Sequence, residues 1–162
     1  KTNQNLWIWD YMVQFSNYQN HFPNISTFSE NLKFFKSSNV SGLFLQGSAD
    51  VPSDFYELKQ YILAKLLWDS NSNVDFHIQD FLRGYYGKAA PYISNYISKL
   101  EEAHQKNNKF LDIYGGPVQS RNTYLSEKII AELDLILTKA ETLVEDNEEI
   151  AKRVNKVRMS LD

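Results

Sequence analysis

Three polar side chains lie at the ends of two short apolar runs, where they could do chemistry. Asp10 is the only acid embedded in a strand-end motif, in the run 6–11. A carboxylate there can exchange a proton with a substrate or accept a hydrogen bond from a hydroxyl group, or it can hold the following loop. Tyr11 stands nearest the tip of the run. Gln46 ends the second run, where its amide could bind a ligand hydroxyl or satisfy the backbone near Gly47.

Histidine and cysteine content limits the metal chemistry available to the chain. The sequence has three histidines, which are too scattered for a zinc-type spacing, and no cysteine for a thiolate site or a disulfide. His77 and His104 lie within helical patterns and are expected at the surface or at helix caps. His21 lies in an aromatic loop before Pro23, so it is the histidine predicted to contact substrate. No metal site and no cofactor are predicted.

Composition and charge narrow the class of protein. The chain has 162 residues, 43% of them hydrophobic, which is enough for one core of ordinary size. Its net charge of −3 gives no basic surface for a phosphate backbone, so nucleic acid is not an expected partner. No apolar run approaches the roughly 18 residues of a membrane span. Aromatic side chains make up 14% of the chain, which suits either sugar-binding platforms or a packed core.

The first fifty residues predict one βαβ unit, which would position these side chains. The aromatic and β-branched run 6–13 is typical of a strand buried on both faces, and 14–26 is rich in turn formers. Residues 27–30 fit a capping box, which predicts a helix of about ten residues. The run 40–47 predicts a second strand. The crossover rule makes the two strands parallel.

Beyond Pro52 the pattern is helical. Asp54 is expected to cap the first of these helices, Gly87 to end the second and Pro91 to open the third. The apolar positions that repeat at helical spacing are Leu58, Tyr61, Ile62, Leu66, Val74, Ile78, Phe81, Leu82, Tyr85, Ile93, Tyr96, Ile97, Leu100, Leu125, Ile129, Ile130, Leu133, Ile136, Leu137, Ala140, Ile150, Val154, Val157 and Leu161. The predicted fold class is mainly α, a helical array or bundle with a short two-strand parallel unit at its N-terminus.

Several motifs resemble, in order, the end of a domain-of-unknown-function family found in large secreted bacterial proteins. That family is similar to α-glucuronidases and β-hexosaminidases in having a glycoside-hydrolase-type (β/α)8 barrel followed by helices. The resemblance covers about residues 6–105. The motifs that carry it are Trp7-Ile8-Trp9-Asp10-Tyr11, Phe22-Pro23-Asn24, Gly42-Leu43-Phe44-Leu45-Gln46-Gly47, the run 58–69, and Asp80-Phe81-Leu82-Arg83-Gly84-Tyr85-Tyr86-Gly87.

The resemblance implies that the two strands are a remnant of the barrel, its last two strands, with an active site at their C-terminal ends. Asp10 would be the catalytic carboxylate, and Tyr11, Gln46 and His21 would bind carbohydrate. Related hydrolases often carry an acid near the position of Gln46, so a second carboxylate is in doubt here. The chain is therefore expected to be the C-terminal fragment of a secreted or periplasmic protein that acts on polysaccharide, and to be inactive alone.

The same resemblance implies a domain division and a role for the tryptophans. Residues 1–52 would be the terminal βαβ part of the barrel, 53–109 helices packing on the barrel end, and 110–162 a C-terminal helical hairpin. Trp7 and Trp9 share one side of their strand by two-residue alternation. They are expected to pack under the helices of the barrel rather than to stack on a sugar.

Two other functions fit the same sequence. The long helical part, 54–162, carries no clustered chemistry, so the chain could be a non-catalytic module that supports the barrel or binds glycan or a neighbouring protein. It could also be a purely structural helical domain. Because two strands cannot close a barrel, their exposed edges near 6–13 and 40–47 are predicted to meet the upstream barrel or a second copy of the chain.

Overall fold

A two-stranded parallel sheet lies at the N-terminal end of the protein. The structure is a computed structural model and describes residues 5–48, 51–107 and 109–161. Strand β1 (Leu6–Tyr11) pairs with β2 (Val40–Gln46), and helix α1 (Phe28–Ser37) lies between them in the chain. Tyr11 is opposite Gln46 in the register. The predicted βαβ unit with parallel strands is confirmed.

Only one face of this sheet is covered by the described residues. Leu43 and Leu45 pack against the buried core, whereas the indoles of Trp7 and Trp9 are 68% and 62% exposed. The ring of Trp9 meets the edge of Phe44 at a centroid distance of 4.9 Å on the open face. The prediction that β1 is buried on both faces is therefore wrong for this chain, because its described helices cover one side only. The prediction that the tryptophans pack under the helices of a barrel concerns an upstream barrel and stays a prediction.

The capping box at the start of α1 is also absent. Thr27 has φ −87° and ψ −15°, inside the short 3-10 turn Ile25–Thr27, so it lacks the extended conformation of an N-cap. Its hydroxyl donates backwards to the carbonyl of Asn24 at 2.8 Å. The prediction failed because the preceding loop already turns helically before α1 begins.

The remainder of the described chain is helical, which confirms a mainly α fold. Asn73, Ser126 and Asn147 accept hydrogen bonds from backbone N–H groups of the helices that they open. Gly87 ends a helix with φ +51°, as predicted. The helices are α2 (Tyr56–Trp68), α3 (Val74–Tyr86), α4 (Ala90–Asn107), α5 (Pro117–Ser120), α6 (Glu127–Val144) and α7 (Glu148–Arg158). Within the described residues no helix is both long and apolar enough to cross a membrane.

One hydrophobic core joins these helices to the sheet. It runs from Met12 in the segment after β1 to Val157 in α7, and α4 packs against α6. Ion pairs at the surface join distant helices, such as Lys99 of α4 with Glu132 of α6 at 2.5 Å. The core thus contains residues from each of the three ranges 1–52, 53–109 and 110–162. The division into those three domains stays a prediction.

Candidate functional site

A cavity of about 370 Å³ lies at the carboxyl end of β1 and includes two of the predicted site residues. We call it the β1 cavity. Asp10 and Tyr11 line it, and Asp10 Oδ1 accepts a hydrogen bond from the backbone N–H of Tyr11 at 2.8 Å. The other lining residues are Met12, Phe22, Asn24, Thr27, Phe28, Asn31, His104, Lys109, Phe110 and Leu111. Asp10 is the only carboxylate in this set.

Gln46 lies apart from the β1 cavity. Its side-chain carbonyl accepts a hydrogen bond of 2.7 Å from the indole N–H of Trp9, on the open face of the sheet. Tyr11 stacks beside Trp9 at a centroid distance of 6.5 Å, and Tyr11 also lines the β1 cavity. Gln46 is thus a partner of an exposed aromatic face, and its predicted sugar contact would lie there.

His21 is buried in the interior, at 1% exposure. Its Nδ1 lies 3.1 Å from Asp54 Oδ1, and its Nε2 lies 2.7 Å from the hydroxyl of Tyr96. A neutral ring fits both contacts when Nδ1–H donates to the carboxylate and Nε2 accepts from the tyrosine. Both ring nitrogens therefore have protein partners, and the predicted contact of His21 with substrate stays a prediction.

Asp54 was expected to cap α2, and that prediction is wrong. Phe55 occupies the N-cap position with a left-handed backbone (φ 47°) and makes no side-chain cap bond. Asp54 instead turns inward, where its carboxylate binds His21, the backbone N–H of Phe22 at 3.2 Å and Lys59 at 3.4 Å. A buried cation and a histidine give this carboxylate stronger partners than a solvent-exposed helix terminus would.

Lys59 supplies that cation from within α2. Its side chain is 2% exposed, and Nζ donates to the carbonyl of Phe22 at 3.0 Å and to that of Met12 at 3.4 Å, as well as to Asp54. We call His21, Asp54, Lys59 and Tyr96 the buried ionic cluster. Buried charges are tolerated when paired and hydrogen-bonded, and each charge here has several partners.

Burial and pairing act in opposite directions on the two charges. Burial raises the pKa of Asp54, but the Lys59 ammonium and the hydrogen bond from His21 outweigh it, so that pKa lies below its ordinary value. Burial also lowers the pKa of Lys59, and the carboxylate of Asp54 offsets this only in part. The pair is therefore held by mutual attraction against a common cost of desolvation.

The lowered pKa of Asp54 predicts a dependence of stability on acid. The stabilisation is complete above the unfolded pKa of about 3.9 and is lost as the pH falls through the lower folded value. Urea denaturation should therefore show a larger stability gap between the native protein and Asp54→Asn at about pH 6 than at about pH 2.5. Comparing the two proteins cancels the titration of distant carboxylates. A difference in stability between the two proteins that stays constant with pH would contradict the lowered pKa of Asp54.

The buried ionic cluster lies directly behind the β1 cavity. The two carbonyls that Lys59 binds belong to Met12 and Phe22, and both of these residues also line the cavity. Glu101 of α4 bonds the backbone N–H of Ser26 at 3.0 Å, in the same loop. The loop that forms the cavity wall is thus fixed from inside by the cluster.

Sequence reasoning missed Lys59 and Tyr96. The stripe of Ile62 and Leu66 already places position 59 on the buried face of α2, since three and seven residues separate them. A lysine on a buried stripe is unusual and could have marked a buried partner. Tyr96 carried no such signal, because a tyrosine in an apolar stripe usually fills a core. No group of histidine and carboxylate side chains suited to a metal ion is found in the described parts of the chain.

A family model described as Domain of unknown function (DUF4838) matches residues 1–98, which is more than half of the chain. The match includes both strands, the β1 residues of the cavity and the whole of the buried ionic cluster. No curated protein and no solved structure matches the chain.

Proposed function

We propose that this chain, which belongs to the DUF4838 family, binds carbohydrate in the β1 cavity. It would do so as part of a secreted or periplasmic, glycoside-hydrolase-like protein. The observation that carries the proposal is the position of Asp10, at the carboxyl end of a parallel strand and inside a cavity of ligand size. Ligand pockets span about 300–1,000 Å³. In parallel α/β folds, ligands bind at this end of the strands.

The chemistry of the wall suits a sugar. Asp10 offers a carboxylate oxygen to accept hydrogen bonds from hydroxyl groups, and Asn24 and Asn31 carry amides that can donate and accept. Phe110 is 90% exposed and presents an apolar ring to the same space. Polar groups for the hydroxyls beside an aromatic ring for the C–H face of a sugar are the two elements of such a site.

The number of carboxylates favours binding over hydrolysis by the chain alone. Glycoside hydrolysis uses two carboxyl groups about 5–9.5 Å apart, across the scissile bond. Among the described residues, the wall of the β1 cavity contains Asp10 and no second acid. In a hydrolytic parent protein, the other carboxylate would come from outside this described wall.

Asp10→Asn tests the proposal. Calorimetry with a panel of oligosaccharides should detect binding by the native chain and a loss of about tenfold or more in affinity for Asp10→Asn, since a hydrogen bond to a charged group is lost. Asp146→Asn is the matched control, because Asp146 is exposed and does not line the cavity, and this variant should bind as the native chain does.

Two results would overturn parts of this view. Equal affinity of the native chain and Asp10→Asn for every sugar that binds would remove Asp10 from the site. Release of the aryl group from aryl-glycosides by the native chain, abolished in Asp10→Ala, would show that the chain holds a complete catalytic pair after all.

A non-catalytic supporting module is the second candidate, and the open face of the sheet favours it. Trp7, Trp9 and Phe44 are more than half exposed on one face, which is a large apolar patch for a two-stranded sheet. Such a face could pack against a barrel or a second copy of the chain. Light scattering at high protein concentration tests self-association. A strictly monomeric species would count against a second copy of the chain as the partner of this face.

A further inference from the structure

A second cavity adjoins the β1 cavity on the far side of Phe110. It has a volume of about 600 Å³ and lies between the segment after β1 and residues 109–124; we call it the Gln14 cavity. Its wall includes the polar side chains of Gln14, Asp112, Gln119, Asn122 and Thr123. The stretch Lys109, Phe110 and Leu111 lines both cavities, so the two spaces share one wall.

Backbone contacts hold this wall in place. The N–H of Phe15 donates to the carbonyl of Ile113 at 2.7 Å, and the hydroxyl of Ser16 donates to the carbonyl of Tyr114 at 2.8 Å. Gly115 is buried nearby, and a Cβ there would come within 3.3 Å of Asp112. The loop is therefore tied at successive residues to the segment that follows β1, and the Gln14 cavity has a defined shape.

Gln14 adds a buried, unpaired acceptor to the wall of the Gln14 cavity. Its side chain is 2% exposed, and its Oε1 has no hydrogen-bond partner among the described residues. A buried carbonyl oxygen without a donor carries a free-energy penalty, so native structures nearly always supply one. Gln14 lines the cavity, so a turn of its amide about the last side-chain bond would bring this enclosed oxygen to a ligand hydroxyl group, which would supply that donor.

Phe110 connects the two spaces. It is exposed and lines both cavities, and an isolated exposed phenylalanine needs no explanation by itself. The position of Phe110 on the wall shared by the two cavities gives its ring a role in binding. A ring there can pack against the C–H face of one sugar unit while the neighbouring units extend into the cavities on either side.

We propose that the Gln14 cavity is a second sugar subsite, so that the chain binds an oligosaccharide across Phe110, with one end in the β1 cavity and the other bonded to Gln14. This inference rests on the proposed function of the β1 cavity and extends it from a single sugar to a chain of several. Lys109 and Asp112 are the charged residues among the described lining of the Gln14 cavity, and their opposite signs fit an uncharged sugar unit.

The second subsite lies mostly outside the family match. Residues 109–124 supply all of its wall except Gln14, whereas the match covers residues 1–98. A preference for longer oligosaccharides would then be a property that the C-terminal part of this chain adds to a site built mostly by the matched part.

Titration calorimetry with oligomers of N-acetylglucosamine, xylose and glucuronic acid, each as monomer, dimer and tetramer, tests the proposal. The native chain should bind one series, with the tetramer at least about tenfold tighter than the monomer, because two linked contacts act together. Gln14→Leu and Phe110→Ala should each bring that ratio close to one. Phe76→Ala, an exposed aromatic of α3 that lines neither cavity, should keep the native ratio.

Each outcome decides the matter. Monomer binding that depends on Asp10 but does not improve with length overturns the second subsite and leaves the proposed function standing. A length preference unaffected by both variants also overturns it. No binding of any probe to the native chain overturns both proposals. Since Gln14 is buried, Asn122→Ala at the exposed rim provides a second test if Gln14→Leu fails to give a native circular dichroism spectrum.

Discussion

Replacing Lys59 with methionine is expected to lower the free energy of unfolding by about 3–5 kcal/mol, which is the usual loss when one partner of a buried ion pair is removed. Methionine fills similar volume, so the loss reports on charge rather than on packing. Without the ammonium, the carboxylate of Asp54 keeps His21 and one backbone N–H, and the carbonyls of Met12 and Phe22 lose a donor. Urea denaturation followed by circular dichroism measures the change.

The control for Lys59→Met is Lys152→Met. Lys152 pairs with Glu148 at 2.6 Å on the surface of α7, with its side chain 73% exposed. Exposed pairs contribute about 0–1 kcal/mol, so this variant should stay close to the native protein. Adding Asp54→Leu to Lys59→Met should recover part of the loss, because no unpaired charge then remains. A loss for Lys59→Met no greater than that of the control would mean that the cluster does not hold the interior.

Leu133→Ala is the second large effect, with an expected loss of about 2–5 kcal/mol. Leu133 is fully buried in α6, where that helix packs against α4. Leu135, two residues along the same helix, is 61% exposed, so Leu135→Ala is expected to change stability by less than about 0.5 kcal/mol. The two substitutions remove the same atoms from the same helix and differ only in burial.

The same variant tests the domain division. If the helices after residue 110 fold as one unit with the remainder of the core, Leu133→Ala will raise hydrogen exchange in α2 and α4 as well as in α6. Exchange that rises only in the last two helices would indicate that the hairpin opens separately, as the predicted range 110–162 implies. Peptide-resolved hydrogen exchange distinguishes the two cases.

Local patterns predicted most of the elements, and the reason is that each depends on neighbours in sequence. The aromatic and β-branched run 6–13 and the run 40–47 predicted two strands, and the intervening helix made them parallel. Gly87 ended its helix because only a residue without Cβ readily takes the positive φ required there.

Apart from the capping box, whose cause is local, the failures share a physical cause, which is that the decisive partner is far away in the sequence. Asp54 is a good helix cap by type, but His21 lies 33 residues before it and draws it inward. Tyr96 meets that histidine across 75 residues. The exposure of Trp7 and Trp9 was equally invisible, because burial depends on which elements cover the sheet. The β1 cavity itself could be anticipated in part, since Asp10 and Tyr11 were chosen for their place at a strand end.

The tryptophans of the open face have a spectroscopic consequence. The chain has three tryptophans, and Trp7, Trp9 and Trp68 are 68%, 62% and 94% exposed. Indoles already in water change their emission little when a protein unfolds, so intrinsic fluorescence is a weak probe of the core. Two of the three indoles lie side by side on the uncovered sheet, so anything that covers that face would move their emission to shorter wavelength. Tryptophan fluorescence is therefore expected to report the docking of a partner on this face.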